Sequence, residues 1–151
     1  MNWATKGIEV APRPVRDRPG RVRICIDNPF EHGRTLVAQD QVAANLKGMD
    51  DLDFTGWNNA DWHGVFAHHH TDDVHVDWKG QAPTDGIEQH IDAMKDYVDS
   101  AGGTPPQIIA HPIAFGSGEW TCVIGEFEGG GRMVTVAKWR DGAIAEEYIW
   151  A

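Results

Sequence analysis

Cysteine is scarce: Cys25 and Cys122 stand far apart, without the close spacing of a thiolate metal site or redox pair, which excludes a disulfide-held scaffold. No apolar run approaches the roughly 18 residues of a membrane span, so a membrane protein is excluded. The first residues lack a basic start followed by an apolar stretch, so no secretory signal is read and the expected location is the cytoplasm. Basic residues are thin beyond residue 34. Residues 1–34 hold seven of the thirteen Lys and Arg and only four acids, which leaves that segment at +3 and the remainder at −13. A body this acidic repels a phosphate backbone, so no nucleic-acid partner is expected. Neither a Gly-x-Gly-x-x-Gly loop nor a His-Glu-x-x-His pair occurs, and Ser117 sits in a turn without a strand-to-helix elbow.

What is present suits one soluble globular domain: 151 residues, 41% hydrophobic and 24% charged. Residues 1–34 form a Pro- and Arg-rich extension in which Arg21–Ile26 alternates like an edge strand, and residues 35–151 form the domain. From Thr35, Val42, Leu46 and Met49 recur at helical spacing until Gly56 and Asn58-Asn59 interrupt. Trp62, Val65, Phe66 and His69 mark a second short helix, ended by Thr71-Asp72-Asp73. Val74, Val76 and Trp78 then alternate as a strand. Asp85 and Glu88 have capping-box spacing before the stripe Ile87, Ile91, Met94 and Val98, which Gly102-Gly103 stops. Thereafter the period falls to two over residues 108–115, 119–127, 132–139 and 143–150, joined by Gly-rich turns and by Asp141-Gly142, as in consecutive antiparallel hairpins. Helices first and a meander last predict an α+β domain with helices on one face of a curved sheet.

That order, with Asp72-Asp73-Val74-His75-Val76, Asp85-Gly86-Ile87, Gly118-Glu119-Trp120 and Lys138-Trp139-Arg140-Asp141-Gly142-Ala143-Ile144-Ala145-Glu146-Glu147, resembles the SnoaL-like polyketide cyclases of the nuclear transport factor 2-like superfamily. The resemblance covers about residues 35–150. It implies a cone-shaped fold whose bent sheet encloses a mostly apolar pocket, and pairing of two copies through the outer sheet face. In the cyclases an aspartate on the last strand is the general acid/base and a histidine on the preceding strand assists. Those positions fall here on Ile149 and Thr135, neither of which transfers a proton, so the chemistry must sit elsewhere.

With Asp141-Gly142 setting the hairpin, Thr135 and Ala137 share a face with Glu147 and Ile149, the face the family turns toward its pocket. Glu147 is then the nearest carboxylate to the vacated site, and desolvation is expected to raise its pKa toward a working acid/base. The competing reading pairs it with Lys138 or Arg140 on an exposed face. His111, on the strand face of Ile109, Ile113 and Phe115, and His90, beside the helix stripe, are the other candidate catalytic residues. Trp78, Trp120, Trp139 and Thr135 are candidate substrate-binding residues, the tryptophans as flat walls. His68-His69-His70, with His63 and His75 nearby, invites a metal, but successive histidines at a helix end point in three directions, so no metal and no cofactor are expected and His69 is read as a packed helix residue. The expected activity is aldol-type cyclisation or isomerisation of an apolar cyclic or polyketide-like molecule, carried out by a homodimer. The alternative is a non-catalytic protein of the same fold that binds a hydrophobic ligand or a partner chain.

Overall fold

The computed structural model describes residues 29–151, with side chains from residue 38 onward. Helix α1 spans Pro29–Asp51, beginning ahead of the expected start at Thr35; the alternating Arg21–Ile26 segment lies outside the described residues. The chain continues through a wide π-type turn, Leu52–Trp57, a second one, Trp62–Phe66, and a short 3₁₀ turn, Ala67–His69. Strand β1 (His70–Trp78) and the two-residue β2 (Thr84–Asp85) follow, then α2 (Ile87–Ser100) and the meander β3 (Ile108–Ser117), β4 (Trp120–Phe127), β5 (Arg132–Arg140) and β6 (Ala143–Trp150).

The strands form one sheet in the order β2-β1-β6-β5-β4-β3. Pairing is antiparallel throughout except between β1 and β6, which run parallel because the chain crosses the whole meander before returning beside β1. The turn chemistry fixes the last hairpin: Asp141 and Gly142 both take positive φ, 54° and 85°, as the tight two-residue connection between twisted strands requires. Thr135 accordingly pairs with Ile149 and Ala137 with Glu147, so all four share the inner face, as the alternation predicts.

Two local expectations are corrected. Thr71-Asp72-Asp73 does not end a helix but lies within β1. The capping box at Asp85 and Glu88 does not form: Gly86 occupies the cap position without a side-chain bond, and the Asp85 backbone N–H donates instead to Oε1 of Gln89 at 3.0 Å. The Asp85 carboxylate is drawn away toward Nδ1 of His75, 2.7 Å off.

The core lies between the inner sheet face and the two helices. Leu52, Trp57, Phe66, Val74, Ile91, Met94, Val98, Ile108, Val123, Met133, Trp139 and Ile144 are all buried there. Gly56 lets the two π-type turns touch, since a Cβ on it would come within 3.1 Å of the Phe66 backbone nitrogen. Asn58 then joins this helical corner to the sheet: Nδ2 donates to the Ile108 carbonyl and Oδ1 accepts from the Ile108 N–H, both at 2.8 Å. This side chain stands in for a neighbouring strand at the first residue of β3. Replacing Asn58 by Ala leaves both Ile108 groups unpartnered in a half-buried setting, and we expect a loss of about 1–3 kcal/mol in urea unfolding with an unchanged far-UV spectrum.

Candidate functional site

Three side chains from three elements converge beneath α2. Glu147 projects inward from β6, His70 from the first residue of β1, and His90 from the first turn of α2. Their side chains are 5%, 0% and 1% exposed, so all three have left water. Nε2 of His70 lies 3.3 Å from Oε2 of Glu147, and Nε2 of His90 lies 3.9 Å from the same oxygen. Phe66 covers the group, its ring centroid 4.8 Å from that of His70 and 5.5 Å from that of His90.

The hydrogen bonds assign protons. Nδ1 of His70 is 2.9 Å from the Phe66 carbonyl, which only accepts, so Nδ1 carries a hydrogen. The contact between His70 Nε2 and Glu147 therefore holds one proton, since without it two lone pairs would face each other. Nδ1 of His90 is 3.4 Å from Oγ1 of Thr84, and its Nε2 is fully buried without a hydrogen-bond partner.

Electrostatics differ from the expectation for Glu147. Burial raises its carboxyl, but the His70 hydrogen bond and the charges of His70 and His90 outweigh burial and hold it below its ordinary value. The residue is thus held as a carboxylate. Burial pushes His90 down to about 4, with the His70 charge adding to the fall and Glu147 opposing it, so His90 is neutral near pH 7. The reading of Glu147 as an exposed partner of Lys138 or Arg140 is overturned: Lys138 pairs with Glu146 at 2.8 Å and Arg140 with Asp73.

A cavity of about 50 Å³ opens beside this group, lined by apolar side chains such as Trp57, Trp78, Met94, Tyr97 and Met133 and by the polar groups of His90, Glu147, Thr135 and Asp53. Ile149 also lines it. The space is of the scale of one or two waters, so a larger guest must displace the flexible Met94 and Met133.

Asp53 brings a second polar pair to the cavity wall. It is buried in the first π-type turn and accepts from Nε2 of His111 at 2.9 Å, while Nδ1 of His111 donates to Asp50 at 2.7 Å. Burial depresses the His111 imidazole, but the bonds to Asp53 and Asp50 prevail and raise it above its ordinary value. Burial raises Asp53 in spite of the His111 bond.

The structure therefore gathers Glu147, His90, Thr135 and Trp78 at one cavity and holds His111 one residue back, behind Asp53. His111 does not share the face of its supposed neighbours. Ile109, Ile113 and Phe115 are 61%, 46% and 59% exposed on the outer side, and shifts of register between Ile108 and Ile113 turn His111 inward. Trp120 stands on the outer face, stacked on Tyr148 at 6.4 Å with Lys138 over its ring, because it pairs with Lys138, one residue out of phase with the inward set. Trp139 points inward but belongs to the core: Nε1 donates to Oγ1 of Thr121 at 2.8 Å and its ring lies on Gly48 of α1, where a Cβ would approach it to 3.0 Å. His69 bonds to Asp51 at 2.9 Å, so the inward histidine of the triplet is His70. Asp53 carries no signal in the sequence, and His70 stands out there only as a member of the histidine triplet. The alternation from Val74 back to His70 was the available signal for the second.

No protein-family model and no curated protein matches the sequence. Solved structures do: a nuclear transport factor 2-like protein from Anabaena variabilis ATCC 29413 superposes with a TM-score of 0.57 at 16% identity, covering 73% of this chain and 87% of the other. The fold is nuclear transport factor 2-like. Similar nuclear transport factor 2-like structures include a candidate SnoaL-like polyketide cyclase from Jannaschia sp. CCS1, with a TM-score of 0.56 and 17% identity over 72% of this chain and 85% of its own. A candidate isomerase of the SnoaL-like family from Agrobacterium tumefaciens str. C58 gives 0.57 and 10% over 73% and 96%. Likeness at these identities carries the architecture and leaves the chemistry to the residues.

Proposed function

We propose that the protein is a small SnoaL-like enzyme that moves a proton at carbon next to the carbonyl of an apolar cyclic or polyketide-like molecule, in an aldol-type cyclisation or an isomerisation. The observation that supports this is the Glu147 carboxylate, buried on the wall of an otherwise apolar cavity, held below its ordinary pKa and faced by a neutral His90. A carboxylate there can accept a proton from a guest's α-carbon, and Thr135 and His90 lie on the same wall to hydrogen-bond its oxygen. Once protonated, Glu147 can return that proton to the product, and Asp53, kept in place by His111, is a second carboxyl on the same wall. His111 then acts as a positioning residue. Trp78, half-buried against Tyr97 at 4.6 Å, supplies the flat surface for a ring.

The test is a screen of cyclic ketones, β-keto esters and polyketide-like aromatics for turnover, followed by its pH profile. Activity rising with a single deprotonation below neutrality is expected. Saturable binding of these compounds with no turnover on any of them would favour the ligand-binding alternative.

We also propose that the chain works as a homodimer. On the outer sheet face Ile113 pairs with Ile124, Ile124 with Val134 and Val134 with Trp150, while Phe115, Cys122, Val136 and Tyr148 form the next row, leaving an apolar face that no described residue covers. A second copy presents the same face, which is the requirement of a two-fold interface. Light scattering at micromolar concentration is expected to return twice the 16.7 kDa chain mass, and Ile113→Lys to return the single chain.

A further inference from the structure

We propose that His70, His90 and Glu147 form a binding site for one divalent first-row transition-metal ion, zinc being the ion their geometry suits. This inference goes beyond the enzymatic reading and does not depend on it. The sequence argues against a metal because adjacent histidines diverge, but the fold recruits a single member of the triplet and draws the other two donors from α2 and β6. The donor set is two imidazoles and one carboxylate, which is the composition of three-ligand zinc sites that keep a fourth position open. One atom from each residue faces a common point, all within 4.8 Å of one another. Donors about 2.0–2.2 Å from a tetrahedral ion stand about 3.4 Å apart. The separation between His70 Nε2 and Glu147 Oε2 is already 3.3 Å, and binding must draw in His90, whose Nε2 is 3.9 Å from that oxygen and within 4.8 Å of His70.

Three further observations point to a ligand at that point. Nε2 of His90 is buried and unpartnered, a cost that an ion would remove. His70 is held as a metal-binding histidine is held, its Nδ1–H fixed on the Phe66 carbonyl so that Nε2 is directed inward, and the Thr84 hydroxyl, 3.4 Å from Nδ1 of His90, can accept a hydrogen there once an ion takes the Nε2 lone pair. The converging atoms already require a cation between them, a role now filled by the single proton of the His70–Glu147 contact. An ion replaces that proton, which leaves to solvent. Because His90 and Glu147 line the cavity while His70 does not, the open coordination position faces the cavity, where a water or the oxygen of a guest would complete the tetrahedron. An ion bound there takes up the Glu147 oxygen, so the proton transfer proposed for that carboxylate belongs to the metal-free protein.

The experiment is calorimetric titration of chelator-treated protein with Zn²⁺ at pH 7.5 in buffers of different ionisation enthalpy, with Co²⁺ as an optical probe. One ion per chain, release of one proton per ion and the intense visible bands of four-coordinate Co²⁺ are expected. Affinity should fall at least about 100-fold in Glu147→Gln and in His90→Gln, and about 10-fold in Thr84→Val, which removes only the support of His90. The chain has eight histidines, and among the described residues two of them, His63 and His68, are exposed, so His63→Gln/His68→Gln is the control and should bind as the parent does. The proposal is overturned by no Zn²⁺ binding, by the weak bands of six-coordinate Co²⁺, or by binding that survives in Glu147→Gln and His90→Gln but is lost in the surface control. Should those two variants fail to fold, the Co²⁺ spectrum of the unaltered protein and the Thr84→Val affinity decide. All these readouts are of binding, so a failure to find any turnover removes the enzymatic reading and leaves this result standing.

Discussion

Glu147→Gln is expected to lower turnover by about 100-fold or more while ligand affinity is roughly kept, since the amide matches the carboxylate in volume but accepts no proton. The Nδ1–H of His70 stays on the Phe66 carbonyl, so one N–H of the new amide donates to the Nε2 lone pair and the contact with His70 is kept. Urea unfolding should therefore shift little, which separates a chemical loss from a folding loss. Full activity in the variant would transfer the proton chemistry to Asp53, and Asp53→Asn would then carry the loss.

Acidification should destabilise the protein well above the pH at which ordinary carboxylates titrate. In the unfolded chain His90 takes up a proton near its ordinary value of 6.5, whereas in the folded protein it resists until about 4. Between those values the unfolded state binds more protons, so stability falls as pH falls across that window. At about 1.4 kcal/mol per pH unit the full fall is of order 3 kcal/mol. Glu147 adds in the same direction at lower pH: its depressed carboxyl contributes stability above the unfolded value that is lost as pH drops through the folded one. His111 works oppositely. Its raised imidazole stabilises below the unfolded value, and that contribution fades as pH rises through the folded one. Unfolding midpoints measured from pH 4 to 8 should trace a steep acid limb, and His90→Gln should flatten it between pH 6.5 and 4. An unchanged limb in that variant would mean that His90 is not the group responsible.

The legible parts of this molecule were those with a local physical signature. Asp141-Gly142 could only be a tight turn, and from it the shared face of Thr135, Ala137, Glu147 and Ile149 followed by alternation alone. The stripe of α2 likewise brought His90 to the inner side. Signals failed where geometry departs from its period. The π-type turns carry Asp53 inward at a position that a regular helix pattern does not specify, and the register shifts in β3 reverse the face of His111 relative to Ile113 and Phe115. His70 was hidden because its strand begins at the residue where the helical pattern of Trp62, Phe66 and His69 ends. The partners that reverse the pKa of Glu147 come from β1 and α2, distant in sequence, so no window around residue 147 contains them.

The parallel pairing of β1 with β6 has a consequence for synthesis. Everything up to β5 emerges from the ribosome before the strand that β1 must lie beside, so β1, β2 and α2 have no sheet to dock on until residues 143–150 are free. The meander β3-β4-β5 forms by local hairpins, while the other half waits on a contact spanning most of the domain, with the loop-closure entropy such a contact carries. The last strand to appear is also the one that bears Glu147. Completion of the cavity wall and commitment to the native topology are therefore a single event, and a chain interrupted before β6 would expose Val74, Val76 and the stripe of α2 to any neighbour able to offer a strand edge.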